Sequence, residues 1–131
     1  MCGVNGIYIK DYARDYRENV SKMNNVLHHR GPDDEGVYSD SDVVLGHRRL
    51  SIIDLSPRGR QPMSDARESI WVTCNGEIYN FQELKEQLQG KGHSFRSDSD
   101  TEVIIHGYKE WGVKIFERLE GMFAFALWDK N

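Results

Sequence analysis

The sequence predicts an α+β domain. Segments with the two-residue period of a strand and segments with the spacing of an amphipathic helix alternate in mixed order along the chain. Several of the strand segments are short, which is typical of antiparallel hairpins. The 131 residues, of which 38% are hydrophobic, suffice for a single domain, 1–131, with a real core. No internal repeat or linker divides them.

The chain is predicted to begin with a strand and a helix. Residues 4–9 alternate small, polar and apolar side chains, which indicates a short strand. Apolar residues at spacings of four, four, three and four then predict one face of a helix: Tyr12, Tyr16, Val20, Met23 and Leu27. Gly31 and Pro32 should end this helix near His29. The polar residues 33–42 are predicted to form a loop.

Short apolar or β-branched runs predict the next three strands, over residues 43–45, 50–53 and 70–73. Residues 57–65 contain Pro, Gly and Ser, and a loop is predicted there. The dipeptide Asn75-Gly76 is a strong turn signal.

Two helices are predicted in the second half, each after a capping box. The first box pairs Asn80 with Glu83, and the second pairs Ser99 with Glu102. Apolar residues follow each box at helical spacing, and a further short helix is predicted around residues 115–119.

Residues 122–128 form a last apolar segment, predicted to be a buried strand. No later residue can pair with its far edge, and an apolar strand at an open edge promotes aggregation. We therefore expect the natural chain to continue beyond Asn131, so that this fold is incomplete at its C-terminus.

The composition disfavours several classes of function. The formal charge is −4 with no basic block, so neither nucleic acid nor an anionic membrane is a predicted partner. No apolar run approaches the ~20 residues of a membrane span, and no signal peptide is recognisable. These observations predict a cytoplasmic protein.

Cysteine and histidine usage points to free thiols and to no metal site. Cys2 and Cys74 have no paired spacing, which is typical of a reducing compartment. The five histidines lack the spacing of a zinc site.

Cys2 directly follows the initiator methionine. Removal of Met1 would place a thiol and a free α-amine on one residue, and terminal α-amines in general have a pKa near ~8. A nucleophile next to its own N-terminal amine can be activated for acyl transfer. Taken alone, a small residue at position 2 is better explained as one that simply permits methionine removal, so this hypothesis depends on the motifs downstream.

Five motifs follow one another along the whole chain. They are Met1-Cys2-Gly3, His29-Arg30-Gly31-Pro32-Asp33, Gly46-His47-Arg48-Arg49-Leu50-Ser51-Ile52-Ile53-Asp54, Asn75-Gly76-Glu77-Ile78-Tyr79-Asn80 and Ser99-Asp100-Thr101-Glu102. Together they resemble the glutaminase domain of class II glutamine amidotransferases, and most nearly that of the glutamine-hydrolysing asparagine synthetases. The resemblance implies a sandwich like that of the N-terminal nucleophile hydrolases, with two mainly antiparallel sheets and flanking helices.

Three residues are predicted to carry the chemistry. Cys2 would supply both the nucleophile and, through its α-amine, the base. The Asn75 amide and the Gly76 backbone N–H would stabilise the oxyanion, where one donor is worth about 3–4 kcal/mol of barrier. An Asn-Gly pair is by itself more often a simple hairpin turn.

The substrate contacts are implied by the resemblance. Arg49 would bind the α-carboxylate of the amino acid, as the planar guanidinium suits two oxygens, and Asp100 would bind its α-ammonium group. Glu77 would touch the same ligand, and the following backbone would line the pocket: Leu50, Ser51, Ile52 and Ile53. Arg48 lies on the opposite face of a strand and is expected to be a solvated charge. Asp98 is the competing candidate for the role of Asp100.

The resemblance implies hydrolysis of L-glutamine to glutamate and ammonia. A C-terminal synthetase domain, absent from this sequence, would use ATP and magnesium to convert aspartate and ammonia into asparagine. This segment has no phosphate-binding glycine loop, and no cofactor is expected in it. An amidotransferase with another acceptor, such as a sugar or polysaccharide precursor, and a non-catalytic glutamine-binding module stay open, as does assembly into a homodimer.

Overall fold

The computed structural model describes residues 1–10 and 15–131. Within these residues it contains two three-stranded antiparallel sheets and three α-helices. The mixed order of strands and helices confirms the predicted α+β class. No helix in this part of the chain is long and apolar enough to cross a membrane.

The first sheet has the strand order β1-β3-β2, with β1 at Gly3–Tyr8, β2 at Asp34–Ser39 and β3 at Val43–Arg49. All seven residues of the central strand β3 are buried. The predicted loop over residues 33–42 is wrong, because β2 is a half-exposed edge strand that tolerates polar side chains. The predicted break after residue 45 is also wrong, since pairing with β1 and β2 carries β3 through to Arg49.

The second sheet has the order β4-β5-β6, with β4 at Met63–Ser64, β5 at Ile70–Ile78 and β6 at Gly121–Asp129. The predicted turn at Asn75-Gly76 is wrong, because β5 passes straight through it and pairs with β6. Gly76 has a φ of 138°, and a Cβ there would overlap the Met122 carbonyl, so only glycine fits this close approach.

The helices cover the outer faces of the sheets. α1 (Arg17–Val26) packs on the first sheet through the buried Val20 and Asn24, and the predicted Tyr12 lies outside the described residues. α2 (Phe81–Gly90) and α3 (Glu102–Trp111) pack together on the second sheet. The core there is formed by Met63, Ile70, Val72, Cys74, Ile78, Leu84, Leu88, Val103, Ile104 and Ile105.

The start of each of these two helices differs from prediction. The Asn80 side chain bonds the Arg118 carbonyl and the Glu120 N–H rather than capping α2. α3 begins at Glu102, and the Glu102 carboxylate reaches back to bind the N–H groups of Arg96 and Ser97. In both cases a partner distant from the helix end replaces the predicted local one. The short helix predicted near residue 115 is a 3₁₀ helix at Gly112–Glu117.

The two sheets face each other through β3 and β5. The His47 Nε2–H donates to the Cys74 carbonyl at 3.1 Å, and the Thr73 hydroxyl donates to the Gly46 carbonyl at 3.3 Å. Burial lowers the pKa of His47 to about 4, so the ring is neutral at physiological pH. These bonds set the position of the C-terminal half of β5 relative to the first sheet.

Candidate active site

A pocket of about 170 Å³ lies where the N-terminus, the end of β3, the middle of β5 and the segment before α3 meet. Seven of the predicted site residues line it: Cys2, Arg49, Ile52, Ile53, Gly76, Glu77 and Asp100. Leu50, Ser51 and Asn75 are chain neighbours of these residues and lie beside the wall. Residues from separate parts of the sequence are therefore brought to one cavity.

The Cys2 thiol is half-buried and lies against Leu50. The Leu50 N–H donates to the Cys2 Sγ at 3.4 Å, and the thiol faces the Leu50 carbonyl at 3.7 Å. On the other side, the Arg30 Nε donates to the Cys2 carbonyl at 3.1 Å. The backbone and the side chain of Cys2 are thus both held at the edge of the pocket.

From the sequence, only Arg30 of the motif at residues 29–33 is expected to help shape the pocket, and the structure shows further contacts of this motif. Besides the bond from Arg30, the Asp33 carboxylate accepts the Ser51 N–H at 2.8 Å, and the Asp33 N–H donates to the Arg49 carbonyl at 3.0 Å. The motif therefore ties the N-terminus to the chain that follows β3. Its place among the five ordered motifs was the only sequence signal of this role.

Arg48 is buried, which corrects the expectation of a solvated surface charge. It is 6% exposed, donates through Nε to the Gly31 carbonyl at 2.9 Å and forms an ion pair with Glu35 at 2.8 Å. β3 is a central strand with both faces covered, so neither arginine of the pair reaches bulk solvent.

Arg49 points into the pocket from the opposite face of β3. Its guanidinium donates to the carbonyl of Asp54 and, at 2.8 Å, to that of Ser56. Gly59 packs against this guanidinium so closely that a side chain at position 59 would overlap it. The loop after β3 therefore fixes the charged group before any ligand is present.

Asp100 lines the same pocket as Arg49 and is 7% exposed. One carboxylate oxygen accepts the Ile78 N–H at 2.9 Å. Burial raises the pKa of Asp100 despite this bond. Asp98, the competing candidate, points outward, where its carboxylate is 74% exposed and pairs with Lys85 at 3.4 Å.

The far edge of β5 forms one wall of the pocket. Along this edge the Cys74 N–H is bound by a Gln61 side chain and the Ile78 N–H by Asp100. The two-residue period of a strand directs the N–H of Gly76, which lies between them, to the same edge. The Asn75 Oδ1 is buried and has no hydrogen-bond partner among the described residues. This edge can present backbone donors to a ligand.

Cys74 contributes a second thiol to the pocket wall. Burial raises the pKa of Cys74 to about 12, so that thiol stays protonated. Among the described residues, no group of three or more His, Cys, Asp or Glu side chains is placed to hold a metal ion. Gln61 and Thr101 also line the pocket, and no sequence motif had marked Gln61.

Comparisons with known proteins show which proteins the chain is similar to. The chain is 45% identical over 134 residues to asparagine synthetase [glutamine-hydrolyzing] 1 of Bacillus subtilis (strain 168). It is 39% identical over 132 residues to asparagine synthetase B [glutamine-hydrolyzing] of Escherichia coli (strain K12). Both alignments cover 100% of this chain but only 21% and 24% of the relatives, so the chain spans about a fifth to a quarter of their length.

A solved structure shares the fold. The glutamine phosphoribosylpyrophosphate amidotransferase from B. subtilis superposes with a TM-score of 0.78 at 23% identity, covering 98% of this chain and 35% of that one. The predicted sandwich of two antiparallel sheets with flanking helices is thereby confirmed. The family described as "Glutamine amidotransferase domain" matches residues 1–131 in full. The chain belongs to the glutamine amidotransferase domain family.

Proposed function

We propose that Cys2 hydrolyses the side-chain amide of L-glutamine in this pocket. The observation that carries the proposal is the convergence of Cys2, Arg49, Gly76 and Asp100 on one cavity. A thiol, a cation, a carboxylate and a strand edge with backbone donors match the groups of a free amino acid that carries a side-chain amide.

Recognition uses the two charged groups. Two N–H groups of Arg49 donate to loop carbonyls, and its remaining N–H groups are available for the α-carboxylate of the substrate. Asp100 uses one oxygen for the Ile78 N–H, and its other oxygen would accept the α-ammonium group. Glu77 and the backbone of residues 50–53 complete the binding site in this proposal.

The reaction uses Cys2 and the edge of β5. The sulfur attacks the amide carbon while the α-amine of Cys2 takes the thiol proton. The α-ammonium group then returns that proton to the leaving nitrogen, so that ammonia departs and a thioester remains. The negative oxygen that forms during attack is stabilised by the Gly76 N–H and the Asn75 side-chain amide. Water then cleaves the thioester to glutamate and restores the thiol.

Removal of Met1 is part of this mechanism. Met1 itself lines the pocket, so its retention would occupy substrate space as well as block the α-amine. The intact mass of the active protein should therefore be that of a chain starting at Cys2.

We propose further that the ammonia passes to a C-terminal synthetase domain, where ATP and magnesium would activate aspartate for asparagine formation. The support is the name of the relatives, glutamine-hydrolysing asparagine synthetases, together with their greater length. A different acceptor is the second candidate, because the solved protein with the same fold is a phosphoribosylpyrophosphate amidotransferase.

The test is Cys2→Ala in the full-length protein. Glutamine hydrolysis should fall by at least about a thousandfold, because the nucleophile is lost. Synthesis of asparagine from added ammonium and aspartate should persist and serves as the control for folding. Glutamine turnover at the wild-type rate by Cys2→Ala would refute the assignment of Cys2 as the nucleophile. If the wild-type protein forms no asparagine from aspartate with either ammonium or glutamine as the nitrogen source, the proposed acceptor is refuted.

A further inference from the structure

The side chain of Gln61 bridges two walls of the pocket. Gln61 precedes β4 and is only 6% exposed. Its Oε1 accepts the Cys74 N–H at 2.6 Å, and its Nε2 donates to the Thr101 Oγ1 at 3.1 Å. The Cys74 N–H can only donate, so the oxygen of the amide must face β5 and the nitrogen must face Thr101.

Each end of this bridge adjoins a group of the proposed mechanism. Cys74 directly precedes Asn75-Gly76, the proposed oxyanion donors, and Thr101 directly follows Asp100, the proposed ligand of the substrate ammonium group. A shift at either end of the bridge would therefore be transmitted to a group that contacts glutamine.

The Gln61 bridge takes the place of strand pairing along this part of β5. β4 pairs with β5 only through Met63 and Ser64, opposite Val72 and Trp71. Beyond that point the edge of β5 is held by side chains: the Cys74 N–H by Gln61 and its carbonyl by His47. A continued β4 would cover the Gly76 N–H, whereas a side-chain amide fixes Cys74 and leaves the next position open to the pocket.

We propose that Gln61 is a positioning residue for glutamine hydrolysis, because it sets the oxyanion edge of β5 and the Asp100 segment at a fixed separation. This inference rests on the function proposed above. Gln61 acts through Cys74 and Thr101 and need not touch the reacting atoms.

The experiment compares three variants of the full-length protein with a matched control. Gln61→Met keeps the length of the side chain and removes both hydrogen bonds, so kcat for glutamine hydrolysis should fall about tenfold to a hundredfold, with a rise in KM. Thr101→Val removes the hydroxyl that accepts from Gln61 next to Asp100 and should raise KM more than it lowers kcat. Thr101→Ser keeps the hydroxyl and should restore both constants. Gln87→Met, on the exposed face of α2, should match the wild type.

Two further measurements separate positioning from loss of fold. The rate of Cys2 alkylation by iodoacetamide should stay within about twofold of wild type in every variant, since Leu50 holds the Cys2 thiol and Arg30 holds the Cys2 carbonyl. The double variant Gln61→Met/Thr101→Val should lose little more than Gln61→Met alone, because both changes break the same bridge.

The inference is overturned if Gln61→Met keeps the kcat and KM of Gln87→Met. If Gln61→Met does not fold, Thr101→Val decides: wild-type constants in that variant overturn the inference, and a raised KM restored by Thr101→Ser supports it. A wild-type protein that does not hydrolyse glutamine would instead refute the proposed function itself.

Discussion

At the scale of single residues, the charged groups of the pocket are fixed before substrate arrives. Arg49 is held by two carbonyls and Asp100 by one backbone N–H, each in a buried position. Groups held in this way lose little conformational freedom on binding, so their interaction energy goes into affinity and orientation.

The structure allows a sharper test of Arg49 and Asp100 than the sequence alone allows. Asp100→Asn keeps an oxygen for the Ile78 N–H while removing the charge, and Arg49→Ala removes the cation proposed to bind the α-carboxylate. Each variant leaves one charged end of the proposed glutamine ligand without its buried partner, which costs about 3–5 kcal/mol. We expect kcat/KM for glutamine to fall by about a hundredfold or more, with most of the loss in KM.

The matched controls are Asp98→Asn and Arg58→Ala, both exposed. Arg48→Ala is unsuitable, because the buried Arg48 holds Gly31 and Glu35. If Asp98→Asn weakens glutamine binding more than Asp100→Asn does, the assignment of the ammonium ligand is wrong.

A site residue could be predicted where a sequence motif marks it. Cys2, Arg49, Gly76 and Asp100 lie in recognisable motifs, and the structure brings all four together. The burial of Arg48 and the bridge made by Gln61 could not be predicted, because both depend on which elements cover a given strand. That information comes from distant parts of the chain.

At the scale of elements, long-range pairing overrides local signals. Asn75-Gly76 is a strong turn dipeptide, yet β5 continues because nine register pairs with β6 outweigh the preference of two residues. The helices and the paired apolar strands were predictable from their periodicity. The edge strand β2 was not, because its polar residues are accommodated only by its position in the sheet.

The start of α3 provides a prediction about pH. The Glu102 carboxylate is 2% exposed and accepts bonds from the Arg96 N–H and the Ser97 N–H, each at 2.8 Å, and from His106 at 3.3 Å. Burial alone would raise the pKa of Glu102, but these bonds outweigh it and lower the pKa to about 2 from an ordinary 4.5. The ionised carboxylate therefore stabilises the segment that leads to Asp100.

We expect Glu102→Gln to lower the free energy of unfolding by about 3 kcal/mol near neutral pH, an order-of-magnitude figure from the shift. Since the folded-state pKa lies below the unfolded one, the stabilisation is complete above pH 4.5 and is lost as the pH falls toward 2. The difference from wild type in urea unfolding should shrink over that range. Glu86→Gln, exposed on α2, is the control, and a difference that stays constant down to pH ~2.5 would contradict the assignment.

At the scale of the whole molecule, the sandwich is closed on one side and open on the other. The sheets are joined by the bonds between β3 and β5, but between β1 and β6 lies a groove of about 430 Å³. Its walls include Ile7, Tyr8, Phe125, Leu127 and Trp128. Among the described residues, β6 pairs with β5 alone and lies at the edge of its sheet, half-buried rather than central.

We therefore expect a polypeptide of residues 1–131, expressed without further chain, to aggregate and to have little glutaminase activity. An open apolar strand edge can pair with other chains. The apolar surface of the exposed groove stays in contact with water, which loses ~25 cal/mol of stabilisation per Å². A native state stable by only about 5–15 kcal/mol is sensitive to such a loss. Size-exclusion chromatography, binding of a hydrophobic dye and a thermal melt measure this against the full-length protein.

The variant Ala126→Lys of the same polypeptide separates the effect of the open edge of β6 from the effect of the exposed groove. Ala126 is an exposed residue of β6 in the wall of the groove, so a lysine there places a charge on the strand edge. Aggregation should decrease, while activity stays low because the groove is still unfilled. A monomeric 1–131 polypeptide with a sharp cooperative melt and full glutaminase activity would show that the sheets need no further covering.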